Sequence, residues 1–540
     1  MSKQSFVKGA LILTAAGILV RVVGAGFRIL LAAIIGDEGI GLYQMAYPVY
    51  STLLALSTAG IPIAISKLIS QHVTQGDYRG AYRVFILALN ILSFTGLIIS
   101  ALMVFGAEYI AVNIARDARA YYPIVAISPA IFFVTIMATF RGFFQGQQKM
   151  YPTALSQLFE QLARVTVALG LVFYLGPFRL EWAAAGASFG AAAGGIAGLM
   201  VLMFLFARER QDFIRRMQEQ ARYKYRKTMA VYYDIFSLSI PITLSHLVMP
   251  IIGLIDMTVV PMRLAEAGFE EARRMALYGQ LTGMAAPLVH IPQIVTIALA
   301  VSLVPAISEA LALNNRNLIA SRASLALRLG VLLGFPSAVG LFVLAEPITV
   351  LLYNNREAGM PLAVLAFAII FISIYQVCSG ILQGLGRTKL PLINLLVGSL
   401  FKVVFNWVLI AVPALNIMGA AAASVIGFFV AALLNLYQVW RLTGVGLTFS
   451  HLAKPAFAVI FMGLAARLSY VYSHSLFAMG TFTAGQVNAL ATFTAIGAGM
   501  ISYAFALLFL GALGRDDLLL IPGIGPRVLS FLERLGLMKD

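Results

Sequence analysis

The 540-residue chain has one cysteine, three tryptophans and five histidines, and only 11% of its residues are charged. A single thiol, Cys378 in an apolar stretch, excludes an internal disulfide, a multi-cysteine zinc site and a dithiol redox pair. The shortage of charge excludes a soluble α/β enzyme, which would carry roughly a quarter charged residues. No metal-ligand spacing, nucleophile motif or phosphate-cradling glycine loop is present, so neither catalysis nor a resident metal or cofactor is expected. Acidic residues are the scarcer sign, 22 against 38 Lys and Arg, for a net charge of +16. The basic residues are scattered over short loops instead of forming a stripe, which speaks for membrane topology and against nucleic acid as a partner.

What the chain has in abundance is apolar sequence, 61% of it, in repeated runs long enough to cross about 30 Å of hydrocarbon. About fourteen such runs follow one another, which reads as an all-α polytopic membrane protein. The first run, 10–35, follows Lys3 and Lys8 but is too long for a signal peptide and lacks a small-residue cleavage site, so it reads as a retained helix. With the amino terminus inside, the basic loops fall on one side, and both termini are expected in the cytoplasm of a cell-membrane protein.

An internal repeat organises these runs. "YPIVAISPAIFFVTIMATFRGFFQGQQ" returns as "MPLAVLAFAIIFISIYQVCSGILQGLG", with Pro123/Pro361, Gly142/Gly380, Gln145/Gln383 and Gly146/Gly384 all 238 apart; the same offset carries Arg164 onto Lys402. "IPIAIS" in the first half is echoed by "VPAIS" in the second. The expected domains are a six-helix lobe at 1–206, a basic cytoplasmic linker at 207–230 and a second six-helix lobe at 231–442. Helices 13 and 14 follow at 443–513, then a tail at 514–540 with a short amphipathic helix. Two lobes of like orientation suit a transporter that rocks about a shared cavity. The linker reads as a solvated loop or as a joint resting on anionic headgroups.

Intramembrane charge marks the candidate site. Arg21 and Arg28 are seven apart, about 20° from one line on a helix, and a face carrying two arginines must look into water, protein or a ligand. Arginine forks suit phosphate, and two suit a diphosphate. Glu160 and Arg164 are spaced for an internal pair, with Arg164 also a candidate cavity charge; Lys402 has no carboxylate at the matching position, so it either takes a partner from elsewhere, such as Asp256, or faces the aqueous cavity as a candidate substrate-binding cation. Asp256, with His246 on the same run and His290 on the next, either exchanges a proton or coupling ion or forms a static salt bridge. Prolines at 62, 129, 241, 250, 292, 305 and 336 are expected to break helices.

At "RGFFQGQQKMYPTALSQLFEQLARV", "LVRVVGAGFR" and "GLYQMAYPVYSTLLALSTAGIPIAISKLIS" the chain resembles the polysaccharide-transporter branch of the multidrug/oligosaccharidyl-lipid/polysaccharide exporter superfamily. The likeness is to the stage V sporulation protein B group and its relatives, the MurJ-type lipid II flippases. That resemblance implies a fourteen-helix monomeric flippase that moves an undecaprenyl-diphosphate-linked saccharide, lipid II or a related unit for peptidoglycan, polysaccharide or spore formation, by alternating access. It implies that Arg21 and Arg28 face a central cationic cavity and that helices 13 and 14 hold the lipid tail. Two departures stand out: 53–59 has no arginine, and "APLVHIP" offers His290 where acidic and basic residues are expected. The other readings are a cation-coupled drug exporter, whose cavity should be negative, and a scaffold, which gains nothing from charges in the membrane.

Overall fold

The computed structural model describes residues 3–58, 60–220 and 227–511, and every regular element among them is a helix. Among the described residues, thirteen stretches are long and apolar enough to cross a membrane. The first, 15–74, has 60 residues, about 90 Å of straight helix and three bilayer cores thick. It breaks at Gly36, whose φ of 67° and ψ of −173° suit glycine alone. Counted as two passages, it brings the total to fourteen, as the hydropathy pattern predicts. The tail at 514–540, with its expected amphipathic helix, lies outside the described residues.

The chain forms two compact units, 1–283 and 284–540. The first holds α1 (Lys3–Thr58), α2 (Ile61–Thr74), α3 (Tyr78–Phe105), α4 (Pro129–Gly146), α5 (Tyr151–Leu175), α6 (Leu180–Gln218), α7 (Thr228–Glu266) and α8 (Glu271–Gly279). Sequence divides the chain after six passages, whereas α7 and α8 pack into this first unit. Close backbone approaches draw them in: the Gly60 N–H donates to Thr243 Oγ1 at 3.1 Å, and Gly253 lies against Pro48. Residues 207–218 of the expected linker are not a loop but the end of α6. There Phe213 is buried and packs edge-on to Tyr78 at 5.6 Å and against Phe143 at 5.3 Å. Aromatic burial of this kind outweighs the solvation of the neighbouring charges and keeps the helix going.

The second unit contains α9 (Ala286–Ala312), α10 (Arg316–Val343), α11 (Ala368–Gly384), α12 (Lys389–Leu409), α13 (Asn416–Thr443), α14 (Phe449–Ala478) and α15 (Ala484–Phe509). Its local geometry repeats that of the first at an offset of 238. Left-handed backbone occurs at Gly76 and Asn314, at Arg116 and Asn354, and at Gln148 and Gly386. Asp77 caps α3 by accepting from the Gly80 N–H at 2.9 Å, and Asn315 caps α10 by accepting from Leu318 at 3.0 Å. A methyl group on Gly142 would come within 3.0 Å of the Pro62 carbonyl, and one on Gly380 within 2.5 Å of the Ala300 carbonyl. Since Pro62 corresponds to Ala300, the echo between "IPIAIS" and "VPAIS" is out of structural register; Pro305 falls five residues beyond the equivalent of Pro62.

Prolines 241, 250, 292, 305 and 336 lie inside helices, but Pro62 and Pro129 sit in the first turns of α2 and α4, where the missing N–H leaves no bond unmade.

Candidate functional site

Arg21 and Arg28 lie on the helical part of α1 before Gly36. Arg21 is exposed and Arg28 half-buried. Neither guanidinium has a hydrogen bond or ion pair among the described residues. Between them Gly24 thins the helix, so that a methyl there would touch the Gln161 amide of α5 at 3.4 Å. That contact turns the arginine-bearing side of α1 toward the helix that carries Glu160 and Arg164. Phe27 and Leu31, buried at 4% and 0%, anchor the adjoining face.

A row of glycines positions α5. Gly190, Gly194 and Gly198 of α6 stand four apart and let α5 approach so closely that a Cβ on Gly194 would lie 2.6 Å from the Glu160 carbonyl and 3.1 Å from the Arg164 Cβ. With their backbones held against α6, Glu160 and Arg164 project toward the second half of α1. Glu160 Oε1 accepts from Arg164 Nη2 at 3.1 Å, the internal pair that the spacing predicts. Its other oxygen accepts from Arg141 Nη2 at 2.8 Å, while Arg141 Nε donates to Ser156 Oγ at 3.0 Å.

Arg141 is the residue that sequence reading misses. It lies inside α4, more than a turn before the end at Gly146. The triad carries one net positive charge, and Arg164 Nε is a buried donor with no partner. Such a donor costs about 1–3 kcal/mol unless something else accepts from it.

Glu160 and Arg164 line a cavity of about 300 Å³ together with Tyr47, Tyr50 and Thr58 of α1 and His246 of α7. Tyr43, Tyr47 and Tyr50 recur at helical spacing on one side of α1. Arg28 and Arg164 both lie close enough to Tyr43 for their charges to act on its hydroxyl, so the two cationic helices converge on the tyrosine row. The arrangement can hold a polar, hydroxyl-rich or anionic group. No group of three or more His, Cys, Asp or Glu able to hold a metal occurs among the described residues.

Asp256 lies in the first unit, half-buried on α7, where its charge reaches buried Tyr278. Lys402 and His290 belong to the second unit: Lys402 packs beside Gly427, and His290 Nδ1 is 3.1 Å from Gln293 Oε1. In the second unit's version of the charged seam, Lys402, the equivalent of Arg164, is the one charge that is kept. Arg141, Ser156 and Glu160 correspond to Ser379, Asn394 and Gly398. There Asn394 donates to Asn435 at 2.7 Å, and Asn435 donates to Ser379 Oγ at 3.0 Å.

A second cavity, of about 610 Å³, lies in the second unit and is walled by apolar residues of α9, α10, α14 and α15, among them Ile291, Leu341, Met462 and Phe493. Tyr503 presents only its ring, since its hydroxyl donates to the Leu332 carbonyl at 3.0 Å.

Residues 6–311 match the family described as polysaccharide biosynthesis protein, and 273–408 match the MatE family. Stage V sporulation protein B of Bacillus subtilis (strain 168) is 32% identical over 526 residues, covering 97% of this chain and 99% of its own length. The lipid II flippase MurJ of the same organism is 28% identical, covering 82% of this chain and 84% of its own. Among solved structures, the inward-facing conformation of a multidrug resistance MATE family transporter of the MOP superfamily superposes with a TM-score of 0.66 at 17% identity, over 79% of this chain and 94% of that one.

Proposed function

Because the chain belongs to the polysaccharide biosynthesis protein family of membrane transporters, we propose that it is a flippase for a polyprenyl-diphosphate-linked saccharide, a lipid II-like precursor or related unit, and not an enzyme. The observation that carries this reading is the pair of unpartnered arginines, Arg21 and Arg28, seven apart within a membrane passage. Two cationic forks on one side of a helix match a diphosphate, and Arg164 adds a third guanidinium with an unsatisfied donor. The saccharide hydroxyls find partners in the tyrosine row and His246; Lys402, in the second unit, is a further candidate substrate-binding cation.

The lipid tail has a separate place. The apolar cavity of α14 and α15 takes isoprenoid chain while only the head crosses, which spares the sugar dehydration in hydrocarbon. We place the protein in the bacterial cell membrane as a monomer with both termini in the cytoplasm. Asp256 is the candidate for a coupling proton or ion; the membrane potential is the alternative driving force.

The test is Arg21→Gln with Arg28→Gln in proteoliposomes carrying a fluorescent polyprenyl-diphosphate saccharide. Each charge-assisted hydrogen bond lost is worth about 1.5–3 kcal/mol, so flipping should fall by roughly a hundredfold or more, with Tm unchanged. Wild-type rates in the double variant would overturn the reading. The match of 273–408 to the MatE family favours a drug exporter as a second reading; binding of a cationic dye unaffected by the diphosphate lipid would support it.

A further inference from the structure

A polar cleft of about 510 Å³ lies between α2 and α7 and shares no lining residue with the candidate site. On its α2 side Lys67, Gln71 and Gln75 stand four residues apart and so form one stripe. None of these three side chains has a partner among the described residues. The facing wall is Asp234, Ser237 and Leu238 of α7. Asp77, also in the lining, is already engaged. Burial alone would raise its carboxyl, but the Gly80 N–H, the Gln220 amide and His72 together hold it below the usual carboxylate range.

The surroundings place the cleft at the edge of the bilayer. Ile63, one turn before Lys67 on the same stripe, is 50% exposed, and on α7 Tyr233 and Ile240 are 73% and 52% exposed. Large apolar side chains left open on membrane-spanning helices face acyl chains. Lys67 therefore stands where the apolar stripe gives way to a polar one, at the depth of lipid headgroups. Cations crowd this end: Arg79 donates to the Met217 carbonyl at 3.0 Å, and Arg83 to Thr228 Oγ1 at 2.9 Å.

We propose that this cleft binds the phosphodiester head of an anionic membrane phospholipid, with the Lys67 ammonium on the phosphate and its acyl chains along Ile63 and Tyr233. The Gln71 and Gln75 amides bond phosphate oxygens and head hydroxyls. One ammonium matches one negative charge. A diphosphate, with at least twice that charge, meets Asp77 and Asp234 at the same place and is disfavoured.

The experiment uses the full-length protein in a neutral detergent, with Tm and native mass spectrometry as readouts. The additions are phosphatidylglycerol, phosphatidylcholine, inorganic phosphate and a polyprenyl diphosphate. Phosphatidylglycerol should raise Tm and stay bound in the gas phase, whereas phosphatidylcholine and inorganic phosphate should not. Lys67→Gln should weaken phosphatidylglycerol binding roughly tenfold, the loss of one charge contact, and Lys67→Arg should keep most of it. If Lys67→Gln does not fold, Gln71→Ala takes its place with the same expectation in smaller degree. The Arg21→Gln, Arg28→Gln variant should retain the full phosphatidylglycerol shift, so that failure here and failure of the flippase reading are separate results. Equal stabilisation by phosphatidylcholine, an equal response to inorganic phosphate, an undiminished shift in Lys67→Gln, or displacement of phosphatidylglycerol by stoichiometric polyprenyl diphosphate would each overturn the assignment.

Discussion

Gly41 and Gly279 each rest on a carbonyl of the other's helix: Gly41 on Met275, Gly279 on Asp37. Residues 37 and 41 become 275 and 279 at the repeat offset of 238, so the crossing of α1 and α8 is self-complementary, as in a two-fold dimer interface. Gln44 Nε2 donating to the Thr282 carbonyl at 2.9 Å joins two more equivalent positions. Overpacking such a crossing costs about 1–3 kcal/mol. Gly41→Val and Gly279→Val should therefore lower Tm by similar amounts, measured in the same detergent. A large drop for one and none for the other would contradict the symmetry of the contact.

The two arginines on Glu160 predict a coupling. Glu160→Gln leaves Arg141 and Arg164 facing each other, and Arg141→Gln leaves Glu160 with one partner. Their side chains are 17–21% exposed, so each loss is expected below the several kcal/mol of a fully buried pair, about 1–3 kcal/mol. The double variant should be less damaged than the sum of the singles. A double-mutant cycle by thermal or denaturant unfolding should return an interaction energy of about 1 kcal/mol; strict additivity would show that the contacts contribute nothing jointly.

Gly340 lines the apolar cavity of the second unit, and a methyl there would meet only the Met462 Cε at 3.9 Å. Gly340→Leu should fill the cavity without strain. Flipping of a full-length polyprenyl cargo should fall at least tenfold while Tm holds or rises, and a short-chain analogue should be less affected. Equal loss for both chain lengths would separate the cavity from the tail.

Asp77 sets an acid limit on stability. Its folded pKa lies below the unfolded value, so its contribution is present above about pH 4 and is lost as pH falls through the folded value. Asp77→Asn should lower Tm near neutrality and flatten its fall in acid. An unchanged acid profile would assign the acid sensitivity elsewhere.

The passages, their number and the 238-residue repeat are legible because hydropathy and glycine spacing are written along the chain. Glu160–Arg164 is legible for the same reason, being a pair within one helix. Arg141 is not: its partner is 19 residues away on another helix, and an arginine near a helix end looks like any loop cation. One signal is present, since its counterpart Ser379 lies in a helix with no charged residue. The tyrosine row and His246 gain meaning only when α1, α5 and α7 converge. The division at 283 depends on backbone contacts at Gly41, Gly60 and Gly279, which leave no trace in hydrophobic pattern. The register of "VPAIS" misleads because a similar string one turn along is worth less than the contact itself.

The left-handed positions carry a last consequence. Gln148 holds a φ of 60°, while its twin, Gly386, holds 77°. A side chain in that conformation costs about 1–2 kcal/mol that glycine escapes. Each half of the chain thus serves as a natural experiment on the other, two solutions to one backbone written side by side, and Gln148→Gly borrows an answer the molecule already contains.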